Sequence, residues 1–195
     1  THSTPSCGSY SDQTVRRMAS LKPAASDFRI YWDNAYGIHH LYDDDQDNVL
    51  EILAECKRAG NPDLVYKFSS TSKISFPGSG IAAIATSPNN LEDIKNQLKI
   101  QTIGHDKVNQ LRHVRFFKDI PGMVAHMRLH ADSLRPKFEA GTGILERELG
   151  GLGIGTWTNP KGGYFVSSDS LEGCAKQIVA KCKKAGVVRT GAGAT

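Results

Sequence analysis

The chemistry of this sequence rests on one lysine and one aspartate. Lys73 closes the run Lys67-Phe-Ser-Ser-Thr-Ser-Lys73, forty positions after Asp33 in Tyr31-Trp-Asp-Asn-Ala-Tyr36. Each stands where an apolar, β-rich stretch stops: Phe28 to Trp32 before the aspartate, Leu64 to Phe68 before the serines. If these stretches are strands of a parallel sheet, Asp33, Tyr36, Ser70 and Lys73 gather at its carboxyl edge. Open α/β folds bind their ligands in that crevice. A lysine enclosed near cationic or apolar groups can be neutral near working pH, and its amine then forms a Schiff base with a carbonyl. A carboxylate can hold a ring nitrogen protonated, and the hydroxyls of Ser70 and Ser72, with loop amides, can seat an anion. Alone, a lysine after a strand is a solvated surface residue and an aspartate there a turn former. The two motifs in this order carry the reading.

A carboxylate, a phenol, small hydroxyls and one lysine suit pyridoxal phosphate, with Asp33 against the pyridine nitrogen and Lys73 as the Schiff-base amine. On Asp33-Asn-Ala-Tyr36 followed by Ser70-x-x-Lys73, the chain resembles the fold-type I pyridoxal-phosphate enzymes of the aminotransferase family. More narrowly, it is similar to their MocR-type aspartate aminotransferase subgroup. Pro160-Lys-Gly-Gly-Tyr-Phe165 resembles the small-domain strand of that fold, and the likeness runs from Ser11 to Thr195.

The resemblance implies an α/β protein. Residues 1–105 would be the C-terminal half of a large cofactor-binding domain with a mostly parallel sheet, and residues 106–195 a truncated small α+β domain. It implies that Lys73 carries the cofactor as an aldimine and shuttles the substrate proton. Asp33 would face the pyridine nitrogen, Tyr36 would donate to the ring oxygen, and Ser70 and Ser72 would contact the phosphate. The implied reaction moves an amino group from an amino acid, aspartate for this subgroup, to a 2-oxo acid such as 2-oxoglutarate. A homodimer would complete the site. The same resemblance also admits the ligand-sensing domain of a MocR-type regulator, or an inactive piece.

Three departures qualify the likeness. The family's Asn-Pro-x-Gly element upstream of the aspartate is replaced by Thr4-Pro-Ser-Cys-Gly8. Its phosphate arginine, eight residues after the lysine, is Ile81 here, although the subgroup also tends to lack it. The sequence stops at Gly191-Ala-Gly-Ala-Thr195, before the family's carboxylate-binding arginine, so the resemblance implies an internal piece of an enzyme of about twice this length.

Periodicity predicts the elements that place these residues. A helix is expected over 11–21, strands over 28–32, 64–69 and 81–85, and a helix over 47–59 that Gly60-Asn-Pro62 stops. The third strand is wholly apolar and reads as buried, and strand–helix–strand reads as a right-handed crossover. Helices follow over 90–99, 106–117 and 123–149, the last with a kink expected at Pro136. Residues 156–167 read as two strands about a turn. A final helix is expected to open on the Asp169/Glu172 capping box, with Leu171, Cys174, Ile178 and Cys182 on one side.

Composition narrows the field. With 24 Lys and Arg spread among 20 Asp and Glu, the net charge of +4 forms no basic stripe, so no nucleic-acid partner is expected. No run of 18 apolar residues suggests a membrane span. No signal-peptide layout is visible and no Cys-x-x-Cys occurs, so a cytoplasmic protein with reduced thiols is expected. Cys174 and Cys182, about 12 Å apart along one helix, cannot bridge. His126 and His130 have the i, i+4 spacing of zinc ligands, but no glutamate follows His126 and no third ligand is evident. Asp43, Asp45 and Asp47 echo a calcium loop, yet Asn48 and Ala54 stand where glycine and glutamate belong. His39-His40 follows the tyrosine motif and receives no role.

Overall fold

The computed structural model describes residues 8–191. Its sheet positions the candidate site. Strand β1 (Ile30–Asp33) runs parallel to β2 (Val65–Ser70), from Ile30 opposite Val65 to Asp33 opposite Phe68. Strand β3 (Ala82–Ala85) pairs antiparallel with the far side of β2, so the order is β1-β2-β3 and the sheet is mixed.

Helices α1 (Asp12–Ala19) and α2 (Ile52–Arg58) cover one face. Side chains alternate across a strand, so Trp32 and Val65 point to the helices while Tyr31, Tyr66 and Phe68 point away. Val15, Ala19, Trp32, Ile52, Cys56, Leu64 and Val65 form the core there. Each large apolar side chain so buried contributes about 1.5–3 kcal/mol. Burial, with Glu51 and Glu55 nearby, pushes the Cys56 thiol up to about 11. On the opposite face Tyr31 stacks on Phe68 at 5.6 Å and remains 72% exposed.

The chain continues through α3 (Pro88–Gln101), α4 (Lys107–Phe117) and α5 (Ile120–Leu149). Serine and aspartate side chains cap all three: Ser87, Asp106 and Asp119 each accept from an amide of the first turn. A tight turn joins α4 to α5: the Asp119 amide donates to the Phe117 carbonyl at 2.8 Å, and Lys118 at its centre has φ 64° and ψ −57°. That is a γ-turn of the strained hand. Ile74 then packs with Phe117, Met123 and Met127 in a second small core. Strands β4 (Gly155–Trp157) and β5 (Ser168–Ser170) form an antiparallel pair, and α6 (Ala175–Lys184) follows.

Several expectations are corrected. The third strand is antiparallel and mostly exposed, because a short apolar run looks alike in either direction and β3 is the last strand on its side among the described residues. The helix expected from Asp47 starts at Ile52, with Glu51 as its cap; Val49 and Leu50 pack on the core from outside it. Helix α5 begins at Ile120, ahead of the expected Met123, and spans Pro136 as the expected segment does. Both Pro136 and Asp132 are exposed, so water can serve the carbonyl that loses its amide partner. Pro160–Phe165 is loop, and the partner of β4 lies further on at 168–170. Asp169 and Glu172 therefore cap nothing. Gly173 takes φ 76°, a left-handed conformation that ends any helix begun before it. Thr4–Cys7 and the final Ala192–Thr195 lie outside the described residues.

Candidate functional site

Parallel pairing sets the ends of β1 and β2 side by side, about 4.8 Å apart. The Asn34 amide donates to the Phe68 carbonyl at 2.8 Å, which carries the pairing one residue past Asp33. Alternation puts Asp33 and Ser70 on the same face as Tyr31 and Phe68, away from α1 and α2. The Asp33 carboxylate is exposed and accepts from the Ala35 amide at 3.0 Å. It thus shapes the turn that leads to Tyr36.

Tyr36 is 4% exposed. Its ring meets those of His39 and Tyr164 edge to face, with the three centroids 5.3–5.5 Å apart and interplanar angles of 75–87°. Phe165 closes a fourth side at 6.3 Å. The loop that carries Tyr164 is fastened to the segment after Tyr36: the Leu41 amide donates to Lys161, and the Gly163 amide to His39, both at 2.9 Å.

Lys73 lies in the turn that leaves β2, with its side chain exposed. The amides of Ile74 and Ser75 both donate to the Thr71 carbonyl, at 2.9 and 2.8 Å. The Lys73 carbonyl accepts twice, from His39 Nε2 at 3.0 Å and from the Tyr164 hydroxyl at 2.9 Å. Next to it, the Ile74 carbonyl accepts from His126 Nε2 at 2.9 Å. Carbonyls only accept, so both imidazoles carry their hydrogen on Nε2. His113 is the reverse case. Its Nδ1 donates to the Asn109 carbonyl at 2.9 Å, and its Nε2 lies within hydrogen-bond distance of the hydroxyls of Thr71 (2.9 Å) and Ser75 (2.8 Å).

At the start of this turn the Ser72 amide donates to the Ser70 hydroxyl at 3.4 Å. Gly80 passes so close that a Cβ on it would lie 2.7 Å from the Ser72 hydroxyl and 3.0 Å from its amide nitrogen. Ile81, where the family's arginine is missing, pairs with Thr71 through the main chain at 2.8 Å.

All the candidate residues therefore fall on one edge of the sheet. His39 received no role from the sequence and Tyr164 was noted only within the Pro160–Phe165 motif; the signal for His39 was its place shortly after the Asp33–Tyr36 motif. Burial, with Tyr36 adding to it, pushes the Tyr164 phenol up, so its hydroxyl remains a donor. His126 gives its Nε2 to a carbonyl, Asp43 pairs with Arg128 at 3.3 Å and Asp45 with Lys161 at 2.5 Å. Among the described residues no group of three or more His, Cys, Asp or Glu is arranged to hold a metal, and no helix is long and apolar enough to cross a membrane.

A lysine turn and an aspartate at adjoining ends of parallel strands, in an α/β protein, are what the resemblance to the fold-type I class implies. The comparisons agree. The family model for aspartate amino-transferase matches residues 1–195, and the chain belongs to that family. It is 40% identical over 193 residues to the aspartate aminotransferase of Corynebacterium glutamicum, covering 99% of this chain and 44% of that one. A crystal structure of an aspartate transaminase from C. glutamicum superposes with a TM-score of 0.92 at 41% identity, over 98% of this chain and 45% of that one. The α-aminoadipate aminotransferase of Thermus thermophilus shares the fold at 20% identity, with a TM-score of 0.74 over 96% of this chain and 46% of that one. The chain spans less than half the length of these relatives.

Proposed function

We propose that the protein is a pyridoxal-phosphate-dependent aminotransferase that moves an amino group between aspartate and a 2-oxo acid, 2-oxoglutarate. The observation that carries this reading is the placement of Asp33 and Lys73 at adjoining carboxyl ends of β1 and β2. Family membership and the likeness to a C. glutamicum aspartate transaminase support it. We place the boundary between a cofactor domain and a smaller domain near residue 105, and we assign the intact enzyme as a homodimer.

The donor set suits the cofactor in kind: one amine, one carboxylate, one phenol and paired hydroxyls along a single edge. Pyridoxal phosphate supplies an electron sink for the substrate α-carbon. Lys73 would supply the amine that holds the cofactor aldehyde, and its Nζ would serve as the base for the substrate α-proton. Asp33 would keep the pyridine nitrogen protonated, which would strengthen the sink. Tyr36 would donate to the ring oxygen. Ser70 and Ser72, with the turn amides, would hold the phosphate without an arginine at position 81.

The test is borohydride reduction of the cofactor-loaded protein, expressed from its complete reading frame, followed by peptide mapping. The label is expected on Lys73. A label on Lys67 or Lys95 overturns the assignment.

A further inference from the structure

We propose that His39 and Tyr164 are positioning residues for Lys73, acting on its main chain to aim the amine. The inference rests on the reading of Lys73 as the cofactor lysine.

Three separate segments meet at one oxygen. The Lys73 carbonyl takes hydrogen bonds from a residue 34 positions upstream and another 91 positions downstream. Two donors use both lone pairs of that oxygen and fix the plane of the Lys73–Ile74 peptide. His126 then fixes the next carbonyl. A buried imidazole is costly unless it is hydrogen-bonded, and His39, 4% exposed, directs Nε2 to this carbonyl. Ring packing alone would be met as well by two phenylalanines, which could not hold the peptide plane.

The arrangement also ties Lys73 to Asp33. The segment that begins with the Asp33 turn reaches His39 six residues later and ends on the lysine carbonyl. Tyr164 cannot drift, because the loop around it is hydrogen-bonded to residues 39–41. The two groups that would meet opposite sides of the cofactor are thus set relative to each other through His39. Orientation of that kind determines how readily bound groups react.

The experiment follows covalent capture of pyridoxal phosphate by Lys73, by absorbance and by the fraction trapped with borohydride, in protein from the complete reading frame. Tyr164→Phe removes one oxygen and keeps the ring; His39→Phe removes the donor; His39→Gln restores an amide donor at a similar reach. Capture should slow about three- to tenfold in each Phe variant, the range for one neutral hydrogen bond, and recover in His39→Gln. Acetylation of Lys73 by a small reagent in cofactor-free protein should be unchanged. If His39→Phe does not fold, Tyr164→Phe alone decides. Unchanged capture rates on Lys73, or an equal fall in acetylation, overturn the positioning role alone. Capture by another lysine in the unaltered protein overturns the proposed function, and this inference with it.

Discussion

His126, in the first half of α5, hydrogen-bonds the carbonyl of Ile74, the residue after the candidate lysine, at 2.9 Å. Helix α5 therefore grips the turn directly. Replacing His126 by Phe should leave the Ile74 carbonyl short of a partner and loosen that turn. Exchange of the Ile74 and Ser75 amides, which both point to Thr71, should speed up by about tenfold, the equivalent of one hydrogen bond. Unchanged exchange at both amides would count against the grip.

Ser70→Ala should weaken pyridoxal phosphate binding by about one to two orders of magnitude, since a hydrogen bond to a charged group is worth about 1.5–3 kcal/mol. The half-buried Ile81 offers the phosphate no charge in compensation. An unchanged dissociation constant places the phosphate elsewhere.

Ile52 is fully buried where α2 meets the sheet. Ile52→Ala should cost about 2–5 kcal/mol in a denaturant titration, because the packed core cannot close the cavity. A loss below 1 kcal/mol would mean that this core is loosely packed.

Stability should fall as pH drops through 6.5. Burial, with His126 beside it, holds the His130 imidazole below its usual value of 6.5. The unfolded chain then binds more protons than the folded one between the folded value and 6.5, so stability rises with pH across that window and is fully present above it. The melting temperature of His130→Leu should vary less between pH 7.5 and pH 5.5 than that of the unaltered protein. An identical pH profile would remove His130 as a contributor.

Lys118 holds a φ of 64° at the joint of α4 and α5. Such a backbone costs about 1–3 kcal/mol for a residue with a Cβ. Lys118→Gly should therefore stabilise the fold by about 1 kcal/mol, after the greater flexibility of unfolded glycine is subtracted. A destabilised variant would show that the turn is relaxed as it stands.

Much of the candidate edge was legible in the residues themselves. The runs before Asp33 and the serines end where chemistry-bearing side chains begin, and parallel pairing follows from the helix between them. Strand direction at Ile81 was not legible, because Ile-Ala-Ala-Ile-Ala carries no alternation to orient it. The start of α6 was misplaced because a capping pair was read across Gly173, whose conformation interrupts it. The roles of His39 and Tyr164 were hidden for a deeper reason. Their partner is a main-chain oxygen, and no spacing rule marks which carbonyl a distant side chain will find.

That partner has one more consequence. His39 and Tyr164 address the carbonyl at position 73, so their hold does not depend on the side chain there. The frame is blind to lysine. It would hold alanine at that position in the same main-chain pose, with only the amine removed. A small amine supplied in solution could then stand in for it, so that the missing group becomes a reagent whose size and basicity the experimenter chooses.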